Sequence, residues 1–279
     1  MSALAAGRAP HPDDGQAAES VVRLLDAEPE IAAGLAGDEL ALAYRHLVVP
    51  RLRIAAGPWT PDFGLSTAIS LLVLDGYLVR DGGDGEMPDV QLVGAGDFID
   101  VRLLTESSDE WRALTSAHVA ILDARILVGV RRWPQLTLGL TRRLFDGHRD
   151  QCRVAAIRAL PRVDERIMAY LSHAASRWGR VTRDGVTLTL PATHELLGRL
   201  VGARRPTVSL ALASLTGEGR LARLDDGRWL LPRPHGESPA SSDPRVEAQR
   251  ARGRGCAAKG EASGMSLVVS AAHEPGTSA

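Results

Sequence analysis

The chain has 279 residues, with 33 Lys and Arg, 34 Asp and Glu, and a formal net charge of −1. This length is enough for about two domains, and the balanced charge excludes binding of nucleic acid through overall charge, so any basic surface has to be local. Two cysteines, Cys152 and Cys256, are too few for a disulfide framework and favour a reduced compartment. No apolar run approaches the ~18 residues of a membrane span, and the N-terminus has no signal pattern. We therefore expect a cytoplasmic protein with no membrane partner.

The N-terminal third changes its pattern twice. Residues 1–18 are rich in Ala, Gly, Pro and Asp, which predicts disorder. Residues 19–47 carry apolar positions that predict one or two helices interrupted at Pro29, and residues 48–54 are more typical of a strand.

Residues 55–123 are typical of short strands separated by Gly and Asp turns. The apolar run 69–74, then Asp75-Gly76, then residues 77–79 predict a β-hairpin. Further strands are expected around residues 90–93 and 98–99. This spacing favours a β-roll or jelly-roll, with an unrelated small β-sandwich as the alternative.

Residues 133–160 are predicted to form one long helix that ends at Pro161. Leu136, Leu140 and Leu144 repeat every fourth residue and would form an apolar stripe. Pairing with a second copy would bury that stripe, which predicts a homodimer. Packing against the chain's own β-domain is the alternative.

Residues 193–215, THELLGRLVGARRPTVSLALASL, predict two short helices around Gly202. Glycine tolerates the positive φ of such a turn, and Pro206 suits the first turn of the second helix. Gly198 would let the second helix pack closely across the first. Together with the apolar positions around them, these residues form the framework of a helix-turn-helix.

The outward face of the second helix carries Arg204, Arg205, Thr207 and Ser209, with no acidic residue between positions 203 and 216. Guanidinium and hydroxyl groups can reach phosphates and base edges in the DNA major groove. The alternative is a helical hairpin whose basic face is only solvated.

The segments around this motif predict a winged helix over residues 161–234. Apolar residues on both sides of Asp226-Gly227 predict a hairpin, the wing, which also carries Arg228. Residues 186–190 alternate and predict a third strand. Residues 235–279 lack periodicity and are predicted to be a disordered tail.

The helix-turn-helix segment, followed by EGRLARL, is similar to the DNA-binding domain of the Crp/Fnr regulators. The resemblance extends more weakly over residues 55–123. It implies an α+β chain with a cyclic-nucleotide-binding-like β-roll sensor domain (19–132), a dimerisation helix (133–160) and a winged helix-turn-helix (161–234). It also implies a homodimer bound to a palindromic operator in double-stranded DNA, with RNA polymerase as a further partner to consider.

In that alignment, the recognition positions are Arg205, Pro206, Thr207 and Ser209. Arg205 matches the base-reading arginine of the family, whereas Pro206 replaces a common glutamate and Leu210 replaces a common second arginine. The operator is therefore expected to differ from that of well-known members. The expected DNA-binding residues are Thr193, Arg204, Arg205, Pro206, Thr207, Ser209 and Arg228.

The resemblance also bears on the ligand of the sensor domain. Asp100-Val101 and Ser107-Ser108 stand where the family holds the ribose with a glutamate and the phosphate with an arginine. Because both of those residues are missing, we expect no cyclic nucleotide to bind. There is no N-terminal cysteine cluster for an iron–sulfur centre, and we expect no cofactor. Binding of a haem or of another small ligand is not excluded by the sequence, and His46 and His118 are the candidate residues for it.

The rival interpretations are an enzyme and a protein-binding winged helix. A metal-dependent β-roll of the cupin type needs converging histidines and a carboxylate, and His46 and His118 are far apart in sequence. The chain has no G-x-S-x-G elbow, P-loop or dinucleotide fingerprint. We therefore predict no enzyme activity. A winged helix that binds proteins would be expected to have an acidic or apolar second helix, whereas the second helix of this chain is basic.

Overall fold

The computed structural model describes residues 20–61, 67–82, 89–105 and 109–233. Both segments predicted to be disordered, 1–18 and 235–279, lie outside these ranges, as do Ser107 and Ser108. The described part consists of an N-terminal β-domain, a long helix and a C-terminal helix-turn-helix with a wing. This arrangement confirms the predicted α+β class.

Nine of the described strands form the β-domain. In chain order they are β1 (Ser20–Arg23), β2 (Val48–Ile54), β3 (Gly57–Trp59), β4 (Ala68–Asp75), β5 (Tyr77–Gly82), β6 (Asp89–Gly94), β7 (Phe98–Asp100), β8 (Glu110–Ala113) and β9 (Ala117–Asp123). They make two antiparallel sheets, one in the order β1-β2-β9-β4-β7 and one in the order β3-β8-β5-β6. Buried residues of both sheets share one core, among them Leu71 of β4 and Trp111 of β8.

The predicted hairpin at Asp75-Gly76 is wrong. Strands β4 and β5 flank this turn, but β4 pairs with β7 and β9 while β5 pairs with β6 and β8. The chain therefore crosses from one sheet to the other at Gly76. The hairpin partner of β5 is β6, with Tyr77 opposite Gly94. An Asp-Gly turn allows a sharp reversal, but tertiary packing decides which strands pair.

Residues 20–47 are less helical than predicted. Strand β1 comes first and pairs with β2, followed by helix α1 (Leu24–Ala27), a 3-10 turn (Pro29–Ala32) and helix α2 (Gly37–His46). Pro29 occupies the first position of the 3-10 turn, where its missing N–H costs nothing. The interruption at Pro29 is thus confirmed. Helices α3 (Val101–Thr105) and α4 (Ala124–Arg132) complete the β-domain.

Helix α5 (Pro134–Arg158) confirms the long helix but corrects its apolar stripe. Leu136 is fully buried, and Leu140 packs against the same N-terminal core. Leu136 and Leu140 therefore follow the alternative, which was packing against the chain's own β-domain, whereas Leu144 is 56% exposed. On the opposite face, Leu138 and Phe145 are 59% and 66% exposed.

The C-terminal part follows the predicted winged helix. It comprises α6 (Val163–Trp178), β10 (Arg180–Val181), β11 (Gly185–Leu188), α7 (His194–Val201), α8 (Arg205–Gly217), β12 (Ala222–Arg223) and β13 (Trp229–Pro232). The strands form one sheet in the order β10-β11-β13-β12. The hairpin β12–β13 is the wing, and β11 is the third strand that the alternation predicts. Strand β10 has no counterpart in the sequence-based prediction.

Helices α6, α7 and α8 share one core with the C-terminal sheet. Its buried members include Ile167 and Leu171 of α6, Leu197 of α7 and Val208 of α8. Across the described ranges, none of the helices combines the length and apolar character needed to cross a membrane.

Candidate nucleic-acid interface

Helix α7 has defined signals at both ends. Thr193 precedes it, and the Thr193 hydroxyl accepts a hydrogen bond of 3.1 Å from the backbone N–H of Leu196. This bond makes Thr193 the N-cap of α7. Gly202 ends the helix with a φ of 68° and a ψ of 47°, the left-handed conformation that glycine adopts without a Cβ penalty. The capping leaves the Thr193 side chain at the N-terminus of α7, where a DNA phosphate is predicted to bind.

Close packing at Gly198 sets the angle between α7 and α8. A Cβ atom at this position would lie 2.5 Å from the carbonyl oxygen of Ala203 and 3.4 Å from Cγ2 of Val208. The backbone N–H of Ala203 also donates to the carbonyl of Gly198 over 2.7 Å. A larger residue would therefore push the turn and α8 away from α7.

The first turn of α8 presents the predicted recognition residues to solvent. Arg204 is the residue before α8, and Arg204, Arg205, Pro206 and Thr207 are all exposed. Neither arginine makes an ion pair or a side-chain hydrogen bond within the described residues. Residues 205–217 contain no acidic side chain. The N-terminal end of α8 is thus a positively charged surface with unengaged guanidinium groups.

Ser209 is already engaged within the protein. Its hydroxyl donates to the carbonyl of Arg205, one turn earlier, over 3.1 Å. Its Oγ also lies 2.9 Å from Nδ1 of His194, the first residue of α7. Since a hydroxyl has one proton to donate, Ser209 offers an incoming base edge a lone pair at most. The link between His194 and Ser209 joins α7 to α8, and the sequence-based prediction missed it.

The wing holds Arg228 in an ion pair. Its Nε donates to Oδ2 of Asp226 over 2.6 Å, and Asp226 also accepts from the Arg228 backbone N–H. Hydrogen bonds from Arg228 lower the pKa of the Asp226 carboxyl, and that carboxylate raises the pKa of the Arg228 guanidinium. An exposed pair of this kind is weak, so a phosphate could compete for Arg228.

The C-terminal part is tied to the β-domain by contacts that the sequence-based prediction missed. Arg177 of α6 pairs with Asp97, which precedes β7, and its Nε lies 3.2 Å from Oδ2 of Asp150 on α5. The indole N–H of Trp178 donates to the carbonyl of Ala95 over 3.1 Å. Arg199 of α7 pairs with Asp81 of β5. These bonds position the helix-turn-helix while the outer face of α8 remains exposed.

A cleft of about 1150 Å³ opens between the β-domain, α5 and α6. Each arginine among its described lining residues already has a partner on the protein. Arg80 pairs with Asp89 and Asp109, and Arg102 with Asp100. Arg143 pairs with Glu28, Arg177 with Asp97 and Asp150, and Arg158 donates to the carbonyls of Val90 and Leu200. An anionic ligand would have to displace one of these partners.

Two titratable side chains in this region have shifted pKa values: His173, which is buried and lines the cleft, and Tyr77, which is half-buried and lies outside the cleft lining. Burial lowers the pKa of His173, although nearby Asp150 opposes that shift. Tyr77 lies on the β-domain side against Trp178, with ring centroids 5.4 Å apart. Burial raises the pKa of Tyr77 to about 12. Both side chains are therefore held in their neutral forms near pH 7.

The two candidate histidines lie in different surroundings. His46 ends α2 and lies against Trp133, with ring centroids 6.1 Å apart and the ring planes tilted by 43°. His118 lies on β9, and its Nδ1 is 2.9 Å from a carboxylate oxygen of Asp75. Across the described part of the chain, no group of three or more His, Cys, Asp or Glu side chains is placed to hold a metal ion.

Comparison with protein families identifies a Crp-like helix-turn-helix domain over residues 165–236. A comparison with curated proteins gives no significant match.

Among solved structures, the chain is similar to a cyclic nucleotide-binding domain containing protein from Listeria monocytogenes EGD-e. The TM-score is 0.54 and the identity 16%, over 67% of this chain and 90% of that one. A CooA mutant from Carboxydothermus hydrogenoformans gives a TM-score of 0.51 and 20% identity, over 66% and 83% of the two chains. A CRP family transcriptional regulator from Thermus thermophilus gives a TM-score of 0.50 and 20% identity, over 72% and 96%. At these identities the likeness establishes the fold.

The fold and the matched domain confirm the resemblance to the Crp/Fnr regulators. The chain thus has a Crp-like helix-turn-helix domain over residues 165–236, and its β-domain and long helix share the fold of these structures.

Proposed function

We propose that the chain binds a palindromic operator in double-stranded DNA as a homodimer, with α8 of each copy in the major groove. The observation that carries this proposal is the exposed, unengaged pair Arg204 and Arg205 at the N-terminal end of α8. In helix-turn-helix proteins this end of the second helix contacts base edges. The proposal extends to the domain boundaries 19–132, 133–160 and 161–234, and to a cytoplasmic location. Contact with RNA polymerase stays a prediction.

The exposed face of α5 supports the homodimer. Leu138 and Phe145 lie seven residues apart and point away from the residues that α5 buries in its own chain. A seven-residue apolar repeat is the pattern that two paired helices bury between them. A two-fold dimer would bring two copies of α8 about 34 Å apart, one turn of DNA.

The charge at α8 gives the direct test of DNA binding. Replacing Arg204 and Arg205 together by alanine is expected to weaken binding and to reduce the slope of log affinity against log salt by about one per half-site, because Arg204 is predicted to contact a phosphate and Arg205 a base. Fluorescence anisotropy with a labelled duplex at several salt concentrations measures this slope. Arg112→Ala is the matched control, since Arg112 is an exposed arginine on β8 of the β-domain. Equal losses in both variants, or no binding by the unmodified chain at low salt, would contradict the proposal.

We further propose that the β-domain takes no cyclic nucleotide. The described arginines of the cleft are engaged with carboxylates or carbonyls, and Asp100 accepts hydrogen bonds from both the backbone and the side chain of Arg102. A buried phosphate without a free arginine would carry a desolvation cost of several kcal/mol. Calorimetry with cyclic AMP and cyclic GMP is expected to show no heat of binding in a preparation that binds DNA. A micromolar dissociation constant for either nucleotide would overturn this prediction.

A further inference from the structure

The second turn of α8 exposes an apolar surface where the family commonly carries an arginine. Leu210 is 74% exposed, one of the largest exposed fractions among the described apolar side chains. Pro206 lies four residues before it and Ala213 three residues after it, and both are exposed. Residues at these spacings share one face of a helix. Pro206, Leu210 and Ala213 therefore form an apolar stripe along the outside of α8.

This stripe is not part of the protein core. The opposite side of α8 supplies the core through Val208, Leu212 and Leu215, which are buried. A single exposed leucine is ordinary on a protein surface. This one lies on the recognition helix, one turn after Arg205, on a helix without acidic side chains. The surface that Leu210 is placed to contact is therefore the floor of the DNA major groove.

Polar side chains near the stripe have little hydrogen-bonding capacity left. The Ser209 hydroxyl donates to the carbonyl of Arg205, as described above. The Ser214 hydroxyl donates to Oε1 of Glu218 over 2.8 Å. Proline has no side-chain donor or acceptor. Beyond Arg205 and Thr207, this face can therefore contact bases chiefly through carbon atoms.

The major groove offers one apolar group that distinguishes the bases of unmodified DNA, the C5-methyl group of thymine. We propose that Leu210, with Pro206 beside it, contacts the C5-methyl group of one thymine in each half-site. The proposal rests on the DNA-binding function above and adds the base type that α8 selects. The proposed source of the methyl group is thymine. Because 5-methylcytosine presents the same group, it is tested separately.

The test uses the duplex recovered by selection from random DNA, with each thymine replaced in turn by deoxyuridine in both half-sites. This replacement removes the methyl group and leaves every hydrogen-bonding group in place. At one symmetric position we expect the affinity per half-site to fall about fourfold, the effect of exposing one buried methyl-sized group. Leu210→Ala should lose a similar factor on the thymine duplex and should no longer respond to deoxyuridine there. Val21→Ala, at an exposed apolar residue of β1, should behave like the unmodified chain.

The outcomes separate this inference from the proposed function. If the protein binds its selected duplex but no deoxyuridine position weakens it, Leu210 does not read a methyl group and the inference is wrong. If deoxyuridine at one position does weaken binding but the Leu210→Ala variant responds to it in the same way, another residue contacts the methyl group and the inference is again wrong. Tighter binding with 5-methylcytosine than with thymine at that position would overturn thymine as the source. Failure to recover any preferred duplex would overturn the proposed function, and this inference with it.

Discussion

Replacing Leu138 and Phe145 together by glutamate is expected to convert a dimer into a monomer and to remove operator binding. Both side chains are exposed in the single chain, on the side of α5 opposite to its buried residues. Carboxylates at these positions would repel each other across the dimer seam and lose their water without gaining a partner. Loss of simultaneous binding to two half-sites is expected to lower operator affinity by on the order of 10²–10⁴.

Sedimentation at tens of micromolar protein measures the first effect, and a gel shift on the palindrome measures the second. Thr137→Glu combined with Gln151→Glu is the matched control, because both residues are exposed on α5 but lie away from the Leu138 and Phe145 stripe. The control is expected to remain a dimer. A monomeric unmodified chain, with or without DNA, would contradict the proposed dimer.

Cys152 provides an independent readout of the same geometry. It is exposed, and it follows Phe145 by seven residues, so it continues the stripe of Leu138 and Phe145. In a parallel, in-register dimer the two Cys152 side chains would face each other, within the ~7 Å between Cα atoms that a disulfide can bridge. Mild oxidation of a Cys256→Ser variant is then expected to give a covalent dimer on a non-reducing gel.

The second large effect is expected at Arg205. We predict that Arg205→Ala weakens operator binding and flattens the preference for guanine at one position in each half-site. An arginine that donates to O6 and N7 of guanine supplies about 1–3 kcal/mol of discrimination. Arg204→Ala is the matched comparison, because Arg204 lies one residue earlier and is predicted to contact the backbone. It should weaken binding to all sequences alike and reduce the salt slope by about one per half-site.

Gel shifts on the selected palindrome and on a scrambled palindrome, at two salt concentrations, distinguish the two roles. Arg205→Ala should lose affinity mainly for the selected palindrome. If it lost the same factor on both duplexes, Arg205 would be a phosphate contact, and the predicted register of α8 in the groove would be wrong.

The helix-turn-helix could be predicted from sequence because its signals are local. Thr193 caps α7 through a bond to Leu196, three residues away, and Gly202 ends the helix by its own backbone conformation. The need for glycine at position 198 follows from the tight turn only five residues later. Such short-range requirements can be recognised in the sequence itself.

The buried face of α5 could not be predicted in this way. Leucines at positions 136, 138, 140 and 144 occupy several sides of the helix, and the spacing alone does not say which side meets the β-domain. The choice depends on the 3-10 turn Pro29–Ala32, which packs against α5 where Gly139 lies against the backbone of Ile31. That contact joins residues more than a hundred positions apart in the chain.

The bonds between the β-domain and the DNA-binding part were missed for the same reason. Two ion pairs join distant segments, Arg177 with Asp97 and Arg199 with Asp81. The local sequence around either arginine does not indicate its partner. The engagement of Ser209 by His194 is also a product of the angle between α7 and α8. The sequence could therefore predict a candidate interface, whereas the availability of each of its side chains required the structure.

Selection of bound duplexes from a random DNA pool, with the full chain and no added ligand, tests the central claim most directly. We expect a single enriched motif with two-fold symmetry, half-site centres about one helical turn apart and a guanine and a thymine at fixed positions in each half. A pool that stays random, or an enriched motif without two-fold symmetry, would contradict a homodimer that reads a palindrome through α8.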